Sequence, residues 1–424
     1  MKIRIFIFSI VCFFFLKRES YLFAQKPKVP ERFGFNLKGK NQKITKIPFI
    51  INSNLIVVKL RINNSDTLNF ILDTGVSSII IIDPVLGDKL NLKYARQVKI
   101  NGAGEKEFIT ANVSVGHKIQ MGSVIAEKQN LVVLDEDILK LSEFMGMPIH
   151  GIFGHELFVR FVVNIDFGRR EIFIMEPESF KFKKSYGEKF PIVVTQSKPY
   201  IDAIELAQED HIYKSIRLVI DTGAGHALLL NTQDKSSISL PETVIRANLG
   251  RGLNGNINGH IGRINDFRMG KFEFKNMLAS FPDSLSFSLK FGDAATQRQG
   301  SVGGEFLRRF IVTFNYKEGY MALKPLKAKY KETFEHDMSG MEVRAKGTHF
   351  NEFFVSFVTP DSQADRAGVR EGDQIIFFNT KHFNELDIND IYKLLSRKEG
   401  EEVELFLRRN GELKFVYFKL RRVI

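Results

Sequence analysis

The tripeptide Asp-Thr-Gly occurs twice in this chain, at 73–75 and 221–223, each time closing an apolar run ("FILDTGVSS" and "LVIDTGAGH"). An aspartate at the end of a buried-type strand needs a partner, because an unpaired carboxylate is costly away from water. Each motif is followed by two further matches in nearly constant register. A Gly-x-Gly follows each aspartate at the same distance, Gly102–Gly104 after Asp73 and Gly250–Gly252 after Asp221. The segments "GHELFVRFVV" and "GGEFLRRFIV" then align on Glu156 and Glu305. The interval from Asp73 to Gly154 matches that from Asp221 to Gly303 to within a single position. Three registered matches over about 100 residues indicate duplication of one fold.

Both copies read as β-rich. Runs such as "FIINSNLIVVKLRI", "NFILD", "QVKI" and "FVVNIDF" favour β-branched and aromatic residues between Gly, Asn and Asp breaks. The segment 176–191 separates the copies and 323–337 ends the second.

One Asp-Thr-Gly is explained by a turn in which Asp and Thr bond back to the backbone. Two in matching repeat positions call for more. Two carboxylates brought within about 3 Å cannot both ionise and so share one proton. The ionised member can draw a proton from water while the neutral one hydrogen-bonds a carbonyl, which polarises a peptide bond without a metal or covalent intermediate. The adjacent threonine hydroxyl can anchor each loop, and glycine lets the backbone amides close on the carboxylate.

At this point the sequence resembles the aspartic peptidases of the retropepsin and pepsin types, whose pattern is apolar-apolar-Asp-Thr-Gly followed later by apolar-apolar-Gly. "IFG" at 152–154 and "SVG" at 301–303 occupy that second position, with Ser301 a departure. The resemblance covers roughly residues 45–325 and looks closest to the bacterial retropepsin-like group, fused in tandem. It implies a mainly β architecture of two pseudo-symmetric barrel-like lobes, 31–180 and 185–328. It also implies a catalytic pair, Asp73 and Asp221, formed within a monomer with carboxyl oxygens about 3 Å apart. Thr74, Gly75, Thr222 and Gly223 would support the pair, and Gly102, Gly104, Gly250 and Gly252 would tip two flaps. His226 stands where the first copy has Ser78, either tuning the pair or packing at a turn. "GRGLNGNINGHIG" lacks the ending of a phosphate loop and reads as a flap.

From about residue 336 the pattern changes. "FFVSFVTPDSQADRAGVREGDQIIFFNTKHF", the helix-like "LDINDIYKLLSRKEG" and two strands around Asn410-Gly411 resemble a PDZ domain, expected over 336–424. The resemblance implies that "SGMEV", with Gly340, Met341 and Val343, receives a peptide C-terminus, and that the chain is added as a strand beside a groove helix at 388–396. Substrate or partner selection and mere packing on the lobes are both open readings.

The N-terminal segment 1–24 has a basic start, an apolar run from Ile5 to Leu16 and Ala24 before a cut, as in a secretory signal peptide; an uncleaved anchor is the alternative. The only cysteine, Cys12, lies in that segment, so the mature chain offers no disulfide, thiolate metal site or cysteine nucleophile. No HExxH spacing occurs, and no metal or cofactor is expected. Of the net charge of +12, +3 lies in residues 1–24 and the rest is dispersed, unlike the gathered charge of a nucleic-acid binder. The segment 26–40 reads as a propeptide or as a terminal strand.

The function expected is an exported bacterial aspartic endopeptidase, periplasmic, envelope-associated or secreted, acting on peptides or proteins, with no nucleic-acid partner and no membrane span in the mature form. A catalytically inert peptide-binding scaffold is the alternative; a glycosidase would need wider carboxyl spacing and a sugar platform. The mature protein is expected to begin near Gln25. An intact mass starting at Met1 in envelope-fraction protein would contradict cleavage.

Overall fold

The structure is a computed structural model that describes residues 34–424 except 40, 101, 105–107, 209–210, 233–237 and 284–297. The N-terminal segment expected to be a signal peptide lies outside the described residues. Of 26–40, Gly34–Leu37 forms a strand pairing antiparallel with Val124–Leu134.

Each half closes into a six-stranded β-barrel. In the first, Leu55–Ile62, Leu68–Asp73, Gly151–Gly154, Ile79–Ile81, Val124–Leu134 and Ile109–Met121 pair in that order, and the last returns to the first. The second repeats the path with Lys198–Gln208, His211–Ile220, Gly300–Val302, Leu228–Leu230, Phe272–Pro282 and Gly255–Met269. The near-identical spacings now have a physical basis. Gly154 pairs in parallel beside Asp73, and Val302 beside Ile220, so each Asp-Thr-Gly strand is flanked by its own copy's later glycine segment.

A six-stranded antiparallel sheet underlies both barrels, ordered Glu188–Pro191, Tyr320–Pro325, Phe310–Asn315, Val162–Asp166, Glu171–Met175 and Ile44–Pro48. Its central pair is the duplicated Arg-Phe segment meeting its own counterpart. Asn164 lies opposite Thr313, and its side-chain amide donates to the Thr313 hydroxyl at 2.7 Å in a buried position. One continuous apolar core runs from Phe35 through both barrels and this sheet to Phe334. The high phenylalanine content serves this core: Phe267–Phe306, Phe274–Phe306 and Phe272–Phe310 meet edge-to-face with centroids 5.0 to 5.4 Å apart.

The run 49–62, read above as one β segment, is a hairpin. Ile50–Asn52 and Leu55–Ile62 are joined by Ser53 and Asn54, both at positive φ. Asn and Ser accept that conformation at small cost, which suits a tight turn between twisted strands. Gln196 and Ser197 turn the second copy in the same way.

Beyond the second barrel the chain is tied down by Arg309. This side chain is fully buried and donates to the Glu305 carboxylate at 2.8 Å and to the carbonyls of Lys329, Glu332 and Thr333. Its guanidinium also lies 3.8 Å from the Phe334 ring centroid. Residues 341–419 then form a separate sheet with its own core, including Val343, Phe353, Ile375, Ile391 and Leu405.

Without Arg309, Glu305 keeps its ion pair with Arg308, but the carbonyls of Lys329, Glu332 and Thr333 lose their shared donor, and a buried polar group left unsatisfied costs about 1–3 kcal/mol. Arg309→Met should therefore lower stability by about 3 kcal/mol in urea unfolding. Arg160→Met, at the corresponding position of the first copy, should cost less than half as much, because Arg160 is partly solvated and pairs with Glu176 alone. Equal losses at the two positions would refute this account of Arg309.

Candidate active site

Asp73 and Asp221 sit at the ends of strands that point toward each other from the two barrels. Gly154 has no side chain because a Cβ there would overlap the Asp73 carbonyl. On the other side the Asp221 amide donates to the Val302 carbonyl at 2.9 Å. The two loops are then locked by exchange. The Thr74 amide donates to the Thr222 hydroxyl at 3.0 Å, and the Thr222 amide to the Thr74 hydroxyl at 3.1 Å. Each hydroxyl passes its own proton onward, Thr74 to the Ile220 carbonyl at 2.6 Å and Thr222 to the Leu72 carbonyl at 2.8 Å. Both threonines are buried.

This lock brings the carboxylates together within one chain. Gly75 donates its amide to Asp73 Oδ1 at 2.6 Å, and Gly223 donates its amide to Asp221 Oδ1 at 2.9 Å. The Asp73 carboxyl lies against Gly223, where a Cβ would overlap it, so the glycine of one motif makes room for the acid of the other. Burial, and next the negative charge of Asp221, push the Asp73 carboxyl up to about 7, against the pull of the Gly75 amide and the Lys198 ammonium. The raised value belongs to the pair, which holds a shared proton toward neutral pH.

The Gly-x-Gly segments lie at the tips of two hairpins, Tyr94–Ile100 with Ile109–Met121 and Val244–Gly252 with Gly255–Met269. The tips touch. The Asn254 amide donates to the Ala103 carbonyl at 2.8 Å, and side chains at Gly102, Gly104 or Gly252 would collide with Leu253, Asn254 or Ala103 respectively. Gly250 faces open space, and its φ of +121° accounts for glycine there. A cavity of about 2130 Å³ lined by Asp73, Asp221, Gly102, Gly250 and Gly252 also reaches the C-terminal domain.

His226 and Ser301 stand out in the sequence as departures from the repeat, whereas Lys198 and Tyr316 do not. His226 Nε2 and Ser301 Oγ lie 2.9 Å apart, so the two departures from the repeat pattern satisfy each other. Burial pushes the His226 imidazole down to about 4, despite Asp221 nearby, and the ring is neutral at ordinary pH. That both departures fall in the second copy was the available signal. Lys198 opens a strand just after the 196–197 turn, and its Cγ lies 4.0 Å from where Gly75 would carry a Cβ. Burial and Arg298 lower the Lys198 ammonium, and the two aspartates raise it. The Tyr316 phenol is pushed well up by burial and by the charges of Asp73 and Asp221. Nothing in the repeat marks Lys198 or Tyr316.

A family model described as aspartyl protease matches residues 58–157 and again 209–306, and a PDZ domain model matches 354–409. The chain carries two aspartyl protease segments and a C-terminal PDZ domain. No curated protein matches it.

In the PDZ domain the expected peptide-receiving amides already have partners. The Gly340 amide donates to Asp337 Oδ2 at 2.7 Å, Met341 to the Ser339 hydroxyl at 3.1 Å and Val343 to the Tyr392 hydroxyl at 3.2 Å. Among the described residues, no helix is long and apolar enough to cross a membrane, and no group of three or more His, Cys, Asp or Glu is placed to hold a metal.

Replacing Thr222 by Val strands the buried Thr74 amide and leaves the Leu72 carbonyl unpaired. A buried unsatisfied group costs about 1–3 kcal/mol, so Thr222→Val should lose about 2 kcal/mol while Thr222→Ser loses under about 1. Chemical denaturation checks both, and indistinguishable variants would mean that the hydroxyl exchange does not hold the loops.

Proposed function

We propose that the protein is an aspartic endopeptidase that hydrolyses peptide bonds with a water activated between Asp73 and Asp221. The observation that carries this reading is the reciprocal threonine lock, which holds the two acid-bearing loops together in one chain so that the pair can share a proton. The Asp221 carboxylate takes a proton from the water as its oxygen attacks the substrate carbonyl. Asp73 donates its proton to the carbonyl oxygen, giving a gem-diol intermediate. As the C–N bond breaks, Asp221 passes the water's proton to the amine nitrogen, and Asp73 takes back a hydroxyl proton as the carbonyl of the new acid forms. Thr74, Thr222, Gly75 and Gly223 hold the acids rather than react. Gly102, Gly104, Gly250 and Gly252 shape the flaps over an extended peptide. The signal-like segment 1–24 supports action outside the cytoplasm.

Asp73→Asn and Asp221→Asn should each reduce turnover of a quenched-fluorescent peptide library nearly as far as the double variant. An Asp221→Asn protein with more than about a tenth of wild-type turnover would place the water elsewhere. Activity should also fall as pH climbs through about 7, where the pair loses its shared proton, and again at low pH once the pair is fully protonated. The sign for stability follows from the same raised pKa. The contribution of Asp73 is complete below the ordinary carboxylate range and is lost as pH rises through about 7. Asp73→Asn should therefore flatten the stability profile between about pH 4 and pH 7. A profile unchanged by that substitution would refute the assignment of the proton.

A further inference from the structure

The PDZ domain presents the groove by which such domains take up a peptide, between the edge strand Met341–Lys346 and the helix Ile388–Leu395. Part of the first barrel sits in it. Gly146 follows the short helix Leu141–Met145 in left-handed conformation, and a Cβ there would stand 2.9 Å from Ile388 Cγ2 and 3.6 Å from the Ala345 Cβ. The glycine is therefore wedged between the groove's helix and its strand. Beside it the Arg344 guanidinium lies 4.9 Å from the Phe144 ring centroid. Tyr392 reaches across from the helix and donates its hydroxyl to the Val343 carbonyl at 2.8 Å while accepting from the Val343 amide. Asp337 holds the Gly340 amide, so the loop that would grip a terminal carboxylate already holds an internal one.

The seated segment is wired to the acids. The Asn52 side chain donates to the Met145 carbonyl at 2.7 Å in a buried position. The next residue, Ser53, gives its amide to Asn389 of the groove helix at 3.4 Å. Asn54, the next again, donates its side-chain amide to the Gly225 carbonyl at 3.1 Å, just beyond the Asp221 motif. The Asn54 carbonyl packs against Gly304, which has no room for a Cβ. Three consecutive residues thus join the PDZ domain, the Leu141–Met145 helix and the Asp221 loop. Leu141, Phe144 and Met145 also line the cleft with Asp73 and Asp221.

We propose that the end of the PDZ groove between Ala345 and Ile388 is filled by this chain's own segment 141–147, while the Gly340–Met341 end faces the cleft, and that the domain is a fixed brace of the peptidase rather than a receptor for peptide C-termini. On this view Asn389 and Arg344 are positioning residues that hold the 52–54 turn and the 141–147 wall, and through them the Asp221 loop. The proposal rests on the reading of the protein as an aspartic endopeptidase.

The test uses the full chain. Asn389→Ala combined with Arg344→Met should lower kcat on a quenched-fluorescent hexapeptide cleaved by the wild type by about fivefold, with a smaller change in KM. Amide exchange should quicken across 50–54 and 141–147. Leu413→Ser, at an exposed position of the PDZ hairpin remote from the groove, should change neither. A hexapeptide ending in valine with a free carboxylate should show no binding to the wild-type chain by fluorescence anisotropy. Faster exchange with unchanged kcat would overturn the positioning role. Binding of the valine-ended peptide without faster exchange at 141–147 would overturn the occupied groove. A wild-type chain inactive on every peptide would instead remove the peptidase reading. The exchange and anisotropy measurements would then still decide who occupies the groove.

Discussion

The structure depends on an exchange of hydrogen bonds between two threonines. Thr74 and Thr222 each give an amide to the other's hydroxyl and each return a proton to a carbonyl of the opposite barrel's strand. Four polar groups that would be costly to bury alone satisfy one another across the boundary between two otherwise self-contained barrels. Because the exchange is reciprocal, it is satisfied only when both loops are in place, and this fixes the acids next to them. A carboxyl raised to about 7 is the result of burial first and of that enforced proximity second.

The second copy is not a replica of the first. His226 and Ser301 replace a serine and an apolar residue and bond to each other beside Asp221, and Lys198 contributes a cation that the first copy lacks at its own hairpin, where Leu55 follows the turn. Duplication within one chain permits this. Two identical subunits must carry every substitution twice, whereas here each side of the cleft is free to change alone. The asymmetry falls beside the Asp73–Asp221 pair, where the Lys198 ammonium pulls the Asp73 carboxyl down against burial and the Asp221 charge.

Much of this was legible in the sequence because repeats convert spacing into geometry. The matched intervals from Asp73 to Gly154 and from Asp221 to Gly303 correspond to parallel pairing of Gly154 beside Asp73 and of Val302 beside Ile220. The Thr and Gly positions of the motif carry the contacts that their chemistry suggested. Residues that meet only through tertiary folding were not legible. Lys198 and Tyr316 approach the acids from turns with no motif, and Arg309 looks like any basic residue until its partners fold around it. The Ser53-Asn54 turn was hidden because flanking Ile and Leu residues make 49–62 look like one strand, although Asn-Ser-Asn offered the turn chemistry. The groove amides were beyond reach for the same reason, since nothing in "SGMEV" says that Asp337, Ser339 and Tyr392 will supply their partners.

The meeting of the two hairpin tips turns the cleft into an arch. Ala103 and Asn254 are joined by a backbone hydrogen bond, and the glycines around them allow the close approach. A free chain end can thread beneath a closed arch, but a loop in the middle of a folded protein has no end to offer and must wait until the keystone parts. Among the described residues, the Asn254–Ala103 hydrogen bond is the backbone link between the tips. On the peptidase reading proposed above, an arch of this kind would admit a frayed terminus more readily than an internal loop of a compact protein.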